Sequence, residues 1–279
     1  MFRKELGKMM TNAVFYLAVA AMVIILMSGT FFTSPNTGRQ YTFYDIIFSE
    51  DRDSLMAESY LRSSDVIIQG TDSYADMFLP IIAAMPFVML VCGEKKNSST
   101  RFEIYRIGKT KYVLGKYFAA MAAGGFIAAA GYIIFSIIIS VLIPGGDGVV
   151  IEYQKEYILD GSMAAGWLYN TLGTKGLYLL KYIRMFFYGT FAVVPAFGMS
   201  AVTKNRYIIL SVPFLIIYLL NKFTENATDP KVMYLLPKTI GNVFMTDFLR
   251  LVVIFGSITV LVLVFYRIFT GRKCDCGED

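Results

Sequence analysis

Three letters of a phosphate-binding loop, Gly108-Lys109-Thr110, sit inside the basic stretch RFEIYRIGKTKYVLGKY at residues 101–117. A complete loop needs a further glycine five residues before its GK[ST], so that backbone N–H groups can cradle the phosphates. Glu103 holds that position and would present a carboxylate instead. No apolar strand precedes the stretch either. The chain is therefore expected to bind no nucleotide itself, to hydrolyse no ATP and to carry no cofactor. Histidine is absent altogether. That removes the Ser-His dyad of an intramembrane serine protease and the His ligands usual at catalytic zinc. Of the three cysteines, Cys92, Cys274 and Cys276, the last two form Cys-Asp-Cys near the carboxyl end. Two thiolates on a tail make a poor site for a soft metal, so a reduced, unstructured tail is expected and no metal site.

The residues around this stretch belong to a membrane. The composition is 56% hydrophobic and 17% charged, with mean hydropathy +0.55, against roughly 25% charge in soluble domains. Charge-free runs predict an all-α polytopic protein forming one transmembrane domain over 1–279. Its six spans fall at about 13–32, 75–93, 116–143, 183–203, 205–222 and 248–268. A span takes about 20 mostly apolar residues. The short fifth run borrows length from Asn205 and a snorkelling Lys222. The first follows a basic start, but its apolar run is too long for a signal peptide and no A-x-A site follows, so it is read as uncleaved. A soluble bundle would need polar faces at helical period, and these runs are apolar all round.

Loop charge sets the orientation. With both termini in the cytoplasm, the inside segments hold 15 of the 26 Lys and Arg in far fewer residues than the 11 outside. The first outer loop gathers acids from Asp45 to Asp72. This is the positive-inside pattern, and it implies contact with anionic membrane lipid. Nothing points to nucleic acid. Asp76, Lys116, Asp247 and Arg250 all fall at span edges, so no ionisable side chain is expected within a span core. Ion-driven transporters usually keep one there, although carbonyls at broken helices can serve instead. Any uphill movement would then draw energy from another polypeptide.

What the spans do contain is small residues and prolines. Ala120-xxx-Gly124-xxx-Ala128 and Ala192-xxx-Ala196-xxx-Ser200 let helices approach closely, within one bundle or between subunits. Pro80, Pro86, Pro195 and Pro213 lie inside spans and permit kinks.

The basic stretch thus links the second span to the third on the inner side. Gly93 to Thr100 reads as a polar turn. Phe102, Ile104, Tyr105 and Ile107 among Arg101, Glu103, Arg106 and Lys109 read as a short amphipathic helix on the membrane surface. Gly108 ends it, and a basic turn, Lys109-Thr110-Lys111, leads into the third span. A loop that only fixed topology would not need the aromatic and apolar face.

Here the chain resembles the permease subunits of ATP-binding-cassette exporters of the type-2 class. In that family an acidic residue follows the second span, then a short helix, a turn, and a glycine-lysine opening the third span. Glu94, Phe102-Glu103-Ile104-Tyr105-Arg106-Ile107, Gly108-Lys109-Thr110 and Leu114-Gly115-Lys116 look like those elements. Gly108-Lys109 stands where the family often has a proline and a serine. The basic amphipathic segment Met1–Met10, the six spans and an outer segment 229–247 that could re-enter the membrane also fit. The resemblance implies a coupling helix in which Arg101, Phe102, Glu103, Tyr105, Arg106 and Lys109 contact an ATPase. It also implies a second permease copy or paralogue, with ATP and Mg bound by the partner ATPase. The expectation is the transmembrane half of an ATP-driven exporter in the plasma membrane. The other reading is a non-transporting sensor or scaffold that displays the acidic outer loop 33–73.

Overall fold

Asn12 divides the amino-terminal segment into two helices. α1 (Phe2–Met10) ends before it, and α2 (Ala13–Met27) starts after it, with Asn12 Oδ1 accepting from the Val14 N–H at 3.1 Å. Such a cap satisfies an orphan donor and starts a new helix, and the two axes differ by 63°. The computed structural model describes residues 1–33, 40–48, 62–69, 75–96, 99–146, 148, 163–225, 238–241 and 248–275. With 15 residues, α2 reaches about 22 Å at 1.5 Å per residue, short of a ~30 Å hydrocarbon core. Of the expected span 13–32, Ala13–Met27 is helical and the remainder is not. Beyond Ser28 the chain extends as β1 (Thr30–Thr33) and pairs antiparallel with β2 (Gln40–Thr42). Threonines and aromatics suit that conformation better than a helix end. Among the described residues the fold is thus helical with one small antiparallel strand pair, which the all-α expectation lacked.

Two short helices follow, α3 (Phe43–Phe48) and α4 (Ser63–Gln69), and then α5 (Ala75–Lys96), which holds Pro80 and Pro86 in its interior. α6 (Ser99–Ile107) is joined to α7 (Lys109–Leu142) by Gly108 alone, at φ 89°. A side chain with a Cβ rarely adopts that conformation, so glycine is what allows one residue to redirect the chain. The expected turn Lys109-Thr110-Lys111 is instead the first turn of α7. At 34 residues, α7 spans about 51 Å, so its basic first turns can lie outside hydrocarbon while the remainder crosses it.

Next come α8 (Met163–Leu172), α9 (Thr174–Ala192) and α10 (Val194–Val202). Pro195 lies in the first turn of α10, where its missing N–H costs nothing. It therefore starts a helix after the break at Val193, within the apolar segment Thr174–Val202. α11 (Arg206–Glu225) keeps Pro213 in its interior, and α12 (Lys238–Gly241) and α13 (Phe248–Asp275) complete the described chain. Cys274 thus lies on a helix, whereas Cys276 lies outside the described residues. Of the expected re-entrant segment 229–247, only 238–241 is described.

Among the described residues, five helical segments are long and apolar enough to cross a membrane: Met77–Lys95, Lys109–Leu142, Thr174–Val202, Arg206–Phe223 and Phe248–Ile268. A sixth arises if α1 and α2 count as one bent span. The chain is a multi-pass membrane protein. Its core sits where α7 and α9 cross. A Cβ on Gly124 would fall 2.8 Å from Gly189 O, and one on Gly189 would fall 2.4 Å from Gly124 O. Backbones touch there because neither residue has a side chain. Around Phe197 of α10 cluster the rings of Phe87 at 5.4 Å, Tyr117 at 4.7 Å and Tyr266 at 4.2 Å. The Tyr117 hydroxyl donates to Thr259 O at 2.9 Å, which binds α7 to α13.

Candidate functional site

In FRKELGKMM, Glu5, Lys8 and Met9 share one face of α1, three and four residues apart. Glu5 and Met9 are fully buried, and that face packs on α7. Lys8 Nζ reaches Glu5 Oε1 at 2.9 Å, Glu94 Oε1 of α5 at 3.2 Å and Glu103 Oε1 of α6 at 3.3 Å. Lys116 of α7, 2% exposed, pairs with Glu94 Oε2 and lies 3.9 Å from Glu5 Oε2. Lys4, largely exposed, adds a contact to Glu103 at 3.5 Å. Three carboxylates and two buried or half-buried ammoniums thus join four elements at one end of the bundle. Burial pulls the Lys8 ammonium down, but its pairing with Glu5 and Glu103 more than offsets this and leaves it above its ordinary value. At the same end Lys95 donates to Ser200 O, capping α10 from α5.

The three carboxylates offer oxygens within 4.8 Å of one another, which would suit a hard divalent cation. Lys8 Nζ, however, already lies within 3.3 Å of all three. A dication there would sit against an ammonium, so this is an ion-pair network and not a metal cradle.

The network holds α6 by one side only. Glu103, Ile104 and Ile107 turn toward the bundle, half-buried, whereas Phe102 is 78% exposed, Tyr105 89% exposed, and Arg106 exposed. Arg101 lies in α6 beside them. Lys109 belongs to α7, a correction to its place on the short helix. Gly108 is a single-residue link between two helices, with α6 where a phosphate loop would need a strand.

Ala120, Gly124 and Ala128 are all buried on one face of α7, with Gly124 against Val193 and Gly189. Ala192 and Ala196 are buried too, but they lie on α9 and α10, either side of the break at Val193. The second small-residue row is therefore not one continuous helical stripe.

The opposite end is built differently. Ser64, Val66, Ile67 and Ile68 of α4 are buried against α7 and α9. The Tyr132 hydroxyl donates to Ile67 O at 2.7 Å, and Ser64 Oγ donates to Gly146 O at 2.7 Å. Asp65, expected in a displayed acidic loop, is 8% exposed, and Asp45 caps β2 through Thr42. Lys181 and Arg184 are buried within Thr174–Val202, with Lys181 Nζ 5.3 Å from the Tyr132 ring centroid and Arg184 Cζ 4.9 Å from that of Phe248. Both cations lie in the first eleven residues of that 29-residue segment, before or at the edge of the expected span 183–203. The helix starts after Gly173, nine residues before the expected 183, and aromatic faces accommodate the cations.

No family model, curated protein or solved structure matches this chain.

Glu94, Glu103 and Lys116 stand among the residues singled out from the sequence, but Glu5 and Lys8 do not. A hint was present, since Glu5 is the lone acid in an otherwise basic amphipathic segment.

Proposed function

We propose that this chain is the permease subunit of an ATP-driven exporter, and that α6 is the element that docks the ATPase. One observation carries the reading: two large aromatics, Phe102 and Tyr105, stand exposed on a nine-residue helix clamped from behind by partly buried ion pairs. Exposed aromatics of this kind serve as interface anchors, and a few anchors hold most of the binding energy at an interface. The clamp gives such a contact mechanical meaning. A push on α6 reaches α1, α5 and α7 through Glu103, Lys8, Glu94 and Lys116 rather than being lost in a loose loop. In this reading α1 lies on the cytoplasmic surface, α2 is the first of six spans, and both termini are cytoplasmic in the plasma membrane. A second copy or paralogue completes the translocation path. ATP and Mg²⁺ belong to the partner, and the isolated chain hydrolyses no ATP. The sensor reading depends on a displayed acidic loop, and it is weakened because Asp65 and Asp45 have structural roles.

Replacing Phe102 or Tyr105 by Ala should cost ~2 kcal/mol or more of docking energy, read as lost ATPase co-purification from membranes in which the permease still inserts. Unchanged co-purification and transport in both variants would remove the main support for the exporter.

A further inference from the structure

A groove of about 780 Å³ opens beside the ion-pair network and runs along α7. Its floor is one helical stripe, Lys111, Leu114, Phe118, Met121 and Ala122, at spacings of three, four, three and one. Met1 and Phe2 wall it at the end bearing the network, with Met1 folded over Gly115, where a Cβ would meet Met1 Cγ at 2.5 Å. Phe186 and Thr190 of α9 close the far end, and the Thr190 hydroxyl is already satisfied by Phe186 O at 2.8 Å. The groove is apolar throughout except at one end, where the exposed Lys111 stands.

From Lys111 to Ala122 is eleven residues, about 16 Å of helix rise, or half of a ~30 Å hydrocarbon core. A cation at the mouth and one leaflet's depth of apolar trough match a lipid with an anionic headgroup. We propose that this groove holds an anionic phospholipid of the leaflet facing α6, with its phosphate at Lys111 and one acyl chain along Leu114, Phe118 and Ala122. Basic residues beside transmembrane helices recognise such headgroups through their charge, at about 1 kcal/mol per Lys. Because Met1 and Phe2 form one wall, the bound lipid also braces α1 where it meets the network. The proposal requires that α7 cross a membrane. It does not require that the chain move cargo.

The test uses the full chain in phosphatidylcholine vesicles containing trace phosphatidylglycerol with a diazirine on one acyl chain. Phosphatidylcholine bearing the same acyl chain is the comparator. After irradiation, phosphatidylglycerol should label the peptides holding Phe118–Ala122 and Phe186–Thr190 about fivefold more than the comparator, the factor equivalent to ~1 kcal/mol. Lys111→Gln should erase that preference, and Ala122→Phe should abolish labelling at these peptides while labelling of α11 persists. If Ala122→Phe fails to fold, excess unlabelled phosphatidylglycerol should displace the probe from the wild-type chain, and phosphatidylcholine should not. Equal labelling by both lipids, a preference that survives Lys111→Gln, labelling undiminished by Ala122→Phe, or crosslinks from the groove to a second copy would overturn the proposal.

Discussion

The two ends of the bundle use polar groups in opposite ways. Around α6, charged side chains from four elements are brought together and paired, and the helix they grip leaves two aromatics exposed. Around α4, single hydrogen bonds to backbone carbonyls seat a short buried helix, and cations rest on aromatic rings. Buried ion pairs are poor stabilisers compared with apolar packing, and costly when one partner is lost. Their concentration at one end ties four elements to one another rather than adding much stability. The α4 end reads as a seal, held by bonds that are each modest in worth.

Mutations should expose that contrast. Lys116→Ala leaves Glu5 buried beside Lys8 alone, so it should destabilise by about 3–5 kcal/mol, seen as a large drop in thermal stability of the detergent-solubilised chain. Between the two ends, Gly189→Ala places a methyl against Gly124 O and Ala128 and should cost ~1–3 kcal/mol through overpacking, read by the same melt. At the sealing end, Tyr132→Phe removes one bond to Ile67 O and should cost about 1–3 kcal/mol if the carbonyl stays dry, and less if water reaches it. Lys4→Ala removes only an exposed contact, worth ~0–1 kcal/mol. If Tyr132→Phe were as damaging as Lys116→Ala, the contrast between the ends would fail.

The pH response sharpens the same comparison. Lys8 is raised above its ordinary value of 10.5, so its contribution is fully present below that value and is lost as pH rises through the folded one. Protease cleavage within α1 should therefore stay constant across neutral pH and rise only in alkali. Cleavage near α4 should not follow Lys8.

Apolar runs announced most of the spans from residue type alone, because membrane helices must be apolar along their length. Their starts were less legible. Charges suggested that the fourth span begins at 183, whereas the helix starts after Gly173 and includes Lys181 and Arg184. Asn12 and Ser28 cut the first run at both ends, local capping that a hydropathy reading passes over. The short helix before Gly108 was visible in its alternation of aromatic and charged residues. The clamp behind it was not, because Lys8 lies 86 and 95 residues from two of its partners, and no spacing rule connects them.

The central claim is that α6 shows its aromatic side to a nucleotide-binding partner and its charged side to the bundle. Photoreactive p-benzoylphenylalanine at position 102, 105 or 104, irradiated in native membranes, tests it most directly. Positions 102 and 105 should capture a polypeptide carrying a full phosphate-binding loop, and the inward-facing 104 should capture none. Crosslinks from all three positions to lipid alone, or to no ATPase, would contradict the account.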